Sequence, residues 1–398
     1  MTDAKGREVA RIALGELVAL AQREPGIATD FRGAAVVLPA ARYLRRAPTH
    51  IDTEDALDLT RIIHAEYMQR REQPYGPTYC VSLRDATVFG QGSVVTGGGA
   101  LLIDSCWEFF SQSGLPPGLV KLDKPGHFQL RDHPSRRIDR PTLLVKRPFW
   151  HNYGHWLLDG ASLLAMIPAL SLPPDGQIII GAHEVPKMRA IMREALDMLA
   201  PGIPVIEQPD DETWSVDTLL YVTPPQISPL TKHPVAMATL RSRVWGAENT
   251  GHPSRRLFVA RDAAVGRGLA NQDEVIALCR QLGFEVVHPE QHSLRDQAAL
   301  FQSASCIVGV KGAAMTNAVF CTNAARLFLL SPADWPDPFF WDLTAQQGIA
   351  YGEMFGRLVG DDARQSMRSF AVDVGRLARN LAAFCAPASA QAVSSATA

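Results

Sequence analysis

From Gln177 onward, short β-branched runs alternate with helical stretches, and this alternation constrains the fold more than any other feature of the chain. The first series predicts a strand over Gln177–Gly181, a helix over Pro186–Leu199, and strands over Ile203–Glu207 and Thr218–Val222. A proline-rich passage follows, and Pro224–Pro234 reads as an interdomain crossing. The second series predicts strands at Leu257–Arg261, Glu285–His288, Cys306–Val308 and Arg326–Leu330. Helices at Gln272–Leu282, Leu294–Ala304, Phe339–Gln347 and Val374–Phe384 separate or follow them. Regular β/α alternation means parallel sheets with helices on both faces, hence an α/β fold.

Upstream the pattern differs. Apolar positions at helical spacing predict helices over Arg7–Gln22 and Thr53–Met68. Runs at Tyr79–Leu83, Thr87–Phe89, Ser93–Thr96 and Ala100–Ile103, broken by glycine-rich turns, predict a small antiparallel meander. Lys121–Arg140 reads as a solvated loop, and Thr142–Val145 as a strand. The resulting plan is an N-terminal helical region over 1–76, an α/β domain with the meander over 77–228, a second α/β domain over 229–385, and a disordered tail over 386–398.

Composition excludes several function classes. At 398 residues, 46% hydrophobic and 20% charged, the chain can bury two cores. A formal net charge of −2 gives no bulk attraction to nucleic acid. Six scattered cysteines without metal spacing fit a reducing compartment. With no membrane-length apolar run and a charged N-terminus, the expected location is the cytoplasm.

Three constellations carry chemistry. Gly309-Val-Lys311-Gly312-Ala313-Ala314 joins a buried strand to a helix start, where glycines admit an anion to backbone N–H groups and Lys311 adds a positive charge. Arg261, Arg267 and Asn271 follow a strand end, where open α/β sheets bind ligands, and an arginine fork suits phosphate. His155 and Asp159, four apart, share a helix face. Asn152 reads as the cap of that helix, leaving His151 in the loop before it. Either Asp159 or His155 can serve as a general base; with His151 they also offer a metal-ligand set, and a purely structural role is open. Trp335, Phe339, Phe340 and Trp341 read mainly as core, with an aromatic wall for a sugar as the alternative.

Together these residues resemble glycosyltransferase family 61, in its bacterial capsular polysaccharide branch. The carrying stretches are Asn152-Tyr-Gly-His155-Trp-Leu-Leu-Asp159, Phe258-Val-Ala-Arg261, Asn271-Gln-Asp-Glu-Val275, Gly283-Phe284 and Val308 through Phe320. The resemblance runs from about Tyr79 to Tyr351. It implies a GT-B fold of two facing Rossmann-like domains with the site in the cleft, and inverting, metal-independent transfer from a nucleotide sugar. It assigns Asp159 and His155 to catalysis, and Arg261, Arg267, Asn271, Gly309, Lys311, Gly312, Ala313, Ala314 and Asn317 to the donor. His151, Asn152 and Tyr153 fall on the acceptor side. The partners implied are a nucleotide-sugar donor and a glycan or lipid-linked acceptor, with no nucleic acid. Peripheral contact with the inner face of a membrane and a homo-oligomer are both compatible with this reading.

The sequence departs from the family pattern at four positions. Lys311 stands where the family has histidine, Gln272 where it has glutamate, Leu329 where an acid can hold the ribose, and Asp159 where the helix motif ends in glutamate. A changed donor is the preferred explanation. A catalytically silent nucleotide- or glycan-binding scaffold is the alternative, and an epimerase-type enzyme on the same plan is a third reading.

Overall fold

A computed structural model describes residues 7–23, 30–112, 114–227, 230–245, 253–261, 268–360 and 368–385. Arg267 and the tail 386–398 lie outside the described residues. The chain is mixed α/β and divides into two compact units. The first takes the described residues of Met1–Ala41, Tyr75–Ser228 and Val235–Val244; the second takes those of Arg42–Pro74, Pro229–Pro234 and Trp245–Ala398. Residues 1–76 are therefore shared between the units.

The first unit is built on one large sheet. Val205–Gln208, Gln177–Gly181, Thr142–Leu144 and Trp214–Val222 run parallel in that spatial order. Numbered along the chain within this series, the order is 3-2-1-4, so the winding reverses between Thr142–Leu144 and Trp214–Val222. Such a reversal opens a crevice beyond the carboxyl ends of the two central strands. Here those ends lead into Arg147 on one side and Thr223–Gln226 on the other. All five residues of Gln177–Gly181 are buried, as expected for a parallel strand covered on both faces.

The sheet continues antiparallel through Thr78–Phe89, Ser93–Val95 and Ala100–Leu102, the predicted meander. Two of the predicted runs fuse into the single strand Thr78–Phe89, which passes through Asp85 at φ 51°. Two further expectations are corrected. Arg7–Ile12 is a strand, pairing with His127–Leu130 and Ala100–Leu102, and the helix begins only at Leu14. Its apolar spacing suited either element, and pairing that buries Val9 against a sheet decides the outcome. The expected loop Lys121–Arg140 contains His127–Leu130 and Arg136–Ile138, whose inward residues Phe128, Leu130 and Ile138 are buried beneath polar neighbours.

In the second unit Glu285–Val287, Arg255–Val259, Ala304–Val310, Arg326–Pro332 and Ala350–Val359 form a parallel series. Its order along the chain is 2-1-3-4-5, and the winding reverses between Arg255–Val259 and Ala304–Val310. Ala350–Val359 has no counterpart among the sequence expectations. Gly352 and Gly356 mask its strand character, yet a Cβ at either would overlap the Phe328 or Phe370 ring, so the strand needs them. The predicted helix after the glycine loop is instead a 3-10 helix, Ala313–Phe320.

Candidate functional site

In the first unit, the reversal point of the sheet carries a cavity of about 450 Å³. Arg147, Asp159, Glu108 and Gln226 line it, with Trp107 and Ile103 among its apolar walls. Asp159 reaches it from a helix that Asn152 caps as expected, the Asn152 side chain accepting from Gly154 N at 2.9 Å. The helix then widens to a π-helical turn over Trp156–Ala161. Such turns re-aim side chains and are frequent at functional sites.

Asp159 is buried, and its Oδ2 accepts from Gln226 Nε2 at 2.6 Å. His155 Nδ1 lies 3.5 Å from that same oxygen and 3.8 Å from Glu108 Oε2. Glu108 arrives from the short helix Trp107–Ser111, and no sequence motif pointed to it. Burial pushes its carboxyl up to about 8; the Asp159 charge adds to the rise, while His155 and Arg147 oppose it. Glu108, His155 and Asp159 each bring one ligand atom within 4.8 Å of the others, so this trio also has the donors to hold a divalent cation.

The surroundings fix His155. Phe149 packs against it with ring centroids 5.4 Å apart, and Phe149 itself sits at φ 58°. A non-glycine residue there stores backbone strain, held in part by Phe149 N donating to Gln91 Oε1 at 2.8 Å. Of the residues assigned to the acceptor side, His151 and Asn152 are exposed and Tyr153 is half-buried.

The second unit places Arg261 and the glycine loop at the same reversal point, since Val259 pairs with Gly309 at the ends of the two central strands. The Arg261 guanidinium lies against Gly312, where a Cβ would overlap Nη1. Gln272 clamps the Arg261 backbone from both directions: its Oε1 accepts from Arg261 N at 2.9 Å, and its Nε2 donates to Arg261 O at 3.0 Å. An amide does both where an ionised glutamate could only accept, which gives the departure from glutamate a structural reason.

Other assigned residues face inward. Asn271 donates to Val372 O at 2.9 Å and accepts from Val372 N at 3.2 Å. Buried Asn317 donates to Gln297 Oε1 at 2.8 Å and to Ala314 O at 3.1 Å. A Cβ at Gly309 would come within 2.7 Å of Met315 Sδ, so glycine there lets the loop pack closely. Lys311 is buried, and its Nζ donates to Asp337 O at 2.7 Å, Trp335 O at 3.3 Å and Glu353 Oε1 at 3.1 Å. The structure thus brings Arg261 and Gly312 together and turns the side chains of Asn271, Lys311 and Asn317 into their support. Trp341 and Phe340 are core, as read from the sequence.

Residues 153–328 match the family model described as Glycosyltransferase 61. The match supports a glycosyltransferase of family 61, and it spans Asp159, Arg261 and the glycine loop. Glu108, Arg147 and Glu353 fall outside the matched stretch. No curated protein matches the chain. Among the described residues no helix is long and apolar enough to cross a membrane.

Proposed function

We propose that the chain is an inverting glycosyltransferase of GT-B plan that moves a sugar from a nucleotide sugar to a hydroxyl of a bacterial surface-glycan or lipid-linked acceptor, of the capsular polysaccharide type. The observation that carries this reading is Asp159, buried at the reversal point of the first sheet with one oxygen fixed by Gln226, inside the stretch that matches the family. Asp159 takes the proton of the acceptor hydroxyl. The freed oxygen attacks the anomeric carbon, the bond from that carbon to the diphosphate breaks, and the nucleoside diphosphate leaves with the electron pair. One displacement inverts the anomeric configuration. His155 and Glu108 set the charge around the base, Glu108 holding its own proton near neutral pH.

Arg261 and the N–H groups of Gly312–Ala314 receive the diphosphate, at the place where open α/β sheets bind such groups. Charge developing on the leaving oxygens is stabilised there without reorganisation. The Glu108–His155–Asp159 trio handles protons in this reading, with one Asp159 oxygen accepting from Gln226. Gln272 and Lys311 do structural work at their positions and are no argument for a silent scaffold. The test is a panel of nucleotide sugars with glycoside acceptors, the product followed by proton NMR. A product of inverted anomeric configuration supports the reading. Nucleotide binding without turnover of any donor would favour the scaffold instead, and a sugar that stays on its nucleotide with altered stereochemistry would favour an epimerase.

A further inference from the structure

Arg147 lies just beyond Thr142–Leu144, the first strand of the parallel series in the first unit, and is 2% exposed. Its Nη2 donates to Val222 O at 2.5 Å, and its guanidinium lies 4.5 Å over the Tyr221 ring. Nε and Nη1 are buried and make no hydrogen bond among the described residues. Comparison with the other buried cations shows how unusual this is. Arg45 and Lys232 pair with Asp342, Lys146 with Asp210, Lys311 with Glu353, and Arg376 with Asp52, Glu54 and Asp55. Arg147 alone of the six has no carboxylate within 4.0 Å among the described residues. A buried guanidinium with two unused nitrogens is costly unless something else supplies oxygens. Arg147 lines the same cavity as Asp159.

We propose that Arg147 receives an oxyanion of the acceptor, so that the enzyme glycosylates an acidic acceptor whose hydroxyl lies on Asp159 while its carboxylate or phosphate lies on Arg147. This rests on the transferase reading above. A guanidinium offers such a group charge-assisted N–H donors, and Nε and Nη1 are the two nitrogens of Arg147 left unused. Trp107, Ile103 and Ile227 on the walls suit the apolar face of a sugar ring or an aglycone. Glu108 and Asp104 line the cavity too; burial raises both carboxyls, and the Arg147 charge opposes the rise at each.

The test uses the full chain and three probes that share one aglycone: phenyl β-D-glucuronide, phenyl β-D-glucoside and phenyl phosphate, with dissociation constants read by calorimetry. Wild type is expected to hold the glucuronide or the phosphate about tenfold more tightly than the glucoside, the range of one charge-assisted hydrogen bond. Arg147→Gln abolishes that preference, and Arg147→Lys restores part of it. Equal affinities in wild type would overturn the proposal without recourse to any variant. So would an Arg147→Gln protein that keeps the preference, or one whose main loss is in uridine diphosphate affinity, since the oxyanion would then belong to the donor. Preference intact, with no donor turned over across the nucleotide-sugar panel, would leave the oxyanion site standing and remove the transferase reading.

Discussion

The Lys311 ammonium lies 3.1 Å from Glu353 Oε1, and both side chains are buried. Glu353 stands on the strand next to Leu329 and in register with it. It also accepts from Ser331 Oγ at 2.5 Å, Tyr351 OH at 2.7 Å and His64 Nε2 at 3.1 Å. The lysine that departs from the family's loop and the acid one strand beyond Leu329 therefore form a single ion pair beneath the loop. Removing one partner of a buried pair typically costs about 3–5 kcal/mol. Lys311→Met is accordingly expected to destabilise the chain by about that much in urea titration, while nucleoside diphosphate affinity of the folded variant stays close to wild type. A tenfold loss of affinity at unchanged stability would return Lys311 to the donor site.

The same pair sets an acid limit on stability. Burial alone would raise the Glu353 carboxyl, but the Lys311 charge and the hydrogen bonds from His64 and Ser331 outweigh it and hold the group well below the usual carboxylate range. A carboxyl depressed in the folded state contributes fully above its unfolded pKa of about 4.3 and loses that contribution as pH falls towards the folded value. Wild-type stability is expected to decline below about pH 5, and in Glu353→Gln this part of the decline disappears. Denaturant titrations from about pH 6 down to about pH 2.5 read the difference in slope.

Gly312 tests the donor side. Its backbone is extended at φ 177°, so alanine is conformationally allowed and the effect comes from the added methyl group alone. That methyl would occupy the place of Arg261 Nη1. Gly312→Ala is expected to weaken uridine diphosphate binding by about tenfold in calorimetry, the worth of one charged hydrogen bond. Unchanged affinity would separate Arg261 from the diphosphate.

Metal removal bears on the Glu108–His155–Asp159 trio. Donor turnover is expected to survive EDTA followed by gel filtration. Loss of turnover that Mn²⁺ restores would put a cation on these three side chains in place of a proton.

The parts of the fold governed by local pattern were legible in the sequence. Gln177–Gly181 and Pro186–Leu199 occur with the bounds read from their periodicity, and Asn152 caps as its side chain suggests. What depends on partners distant in sequence was not legible. Arg7–Ile12 becomes a strand only because two other strands accept it. Glu108 meets Asp159 across about fifty residues from a five-residue helix with no motif. The occupation of Lys311 could not be read without Glu353, whose strand is interrupted by glycines that its neighbours' rings demand. Gln272 looked like a lost acid, and the clamp on the Arg261 backbone explains it.

The most direct measurement compares nucleoside diphosphate release by wild type and Asp159→Asn, with the donor and acceptor that the panel identifies. The variant is expected to lose roughly 10²–10⁴ in turnover, the usual worth of a general base, while binding the nucleotide as wild type does. Equal turnover in the two proteins would contradict the account at its centre.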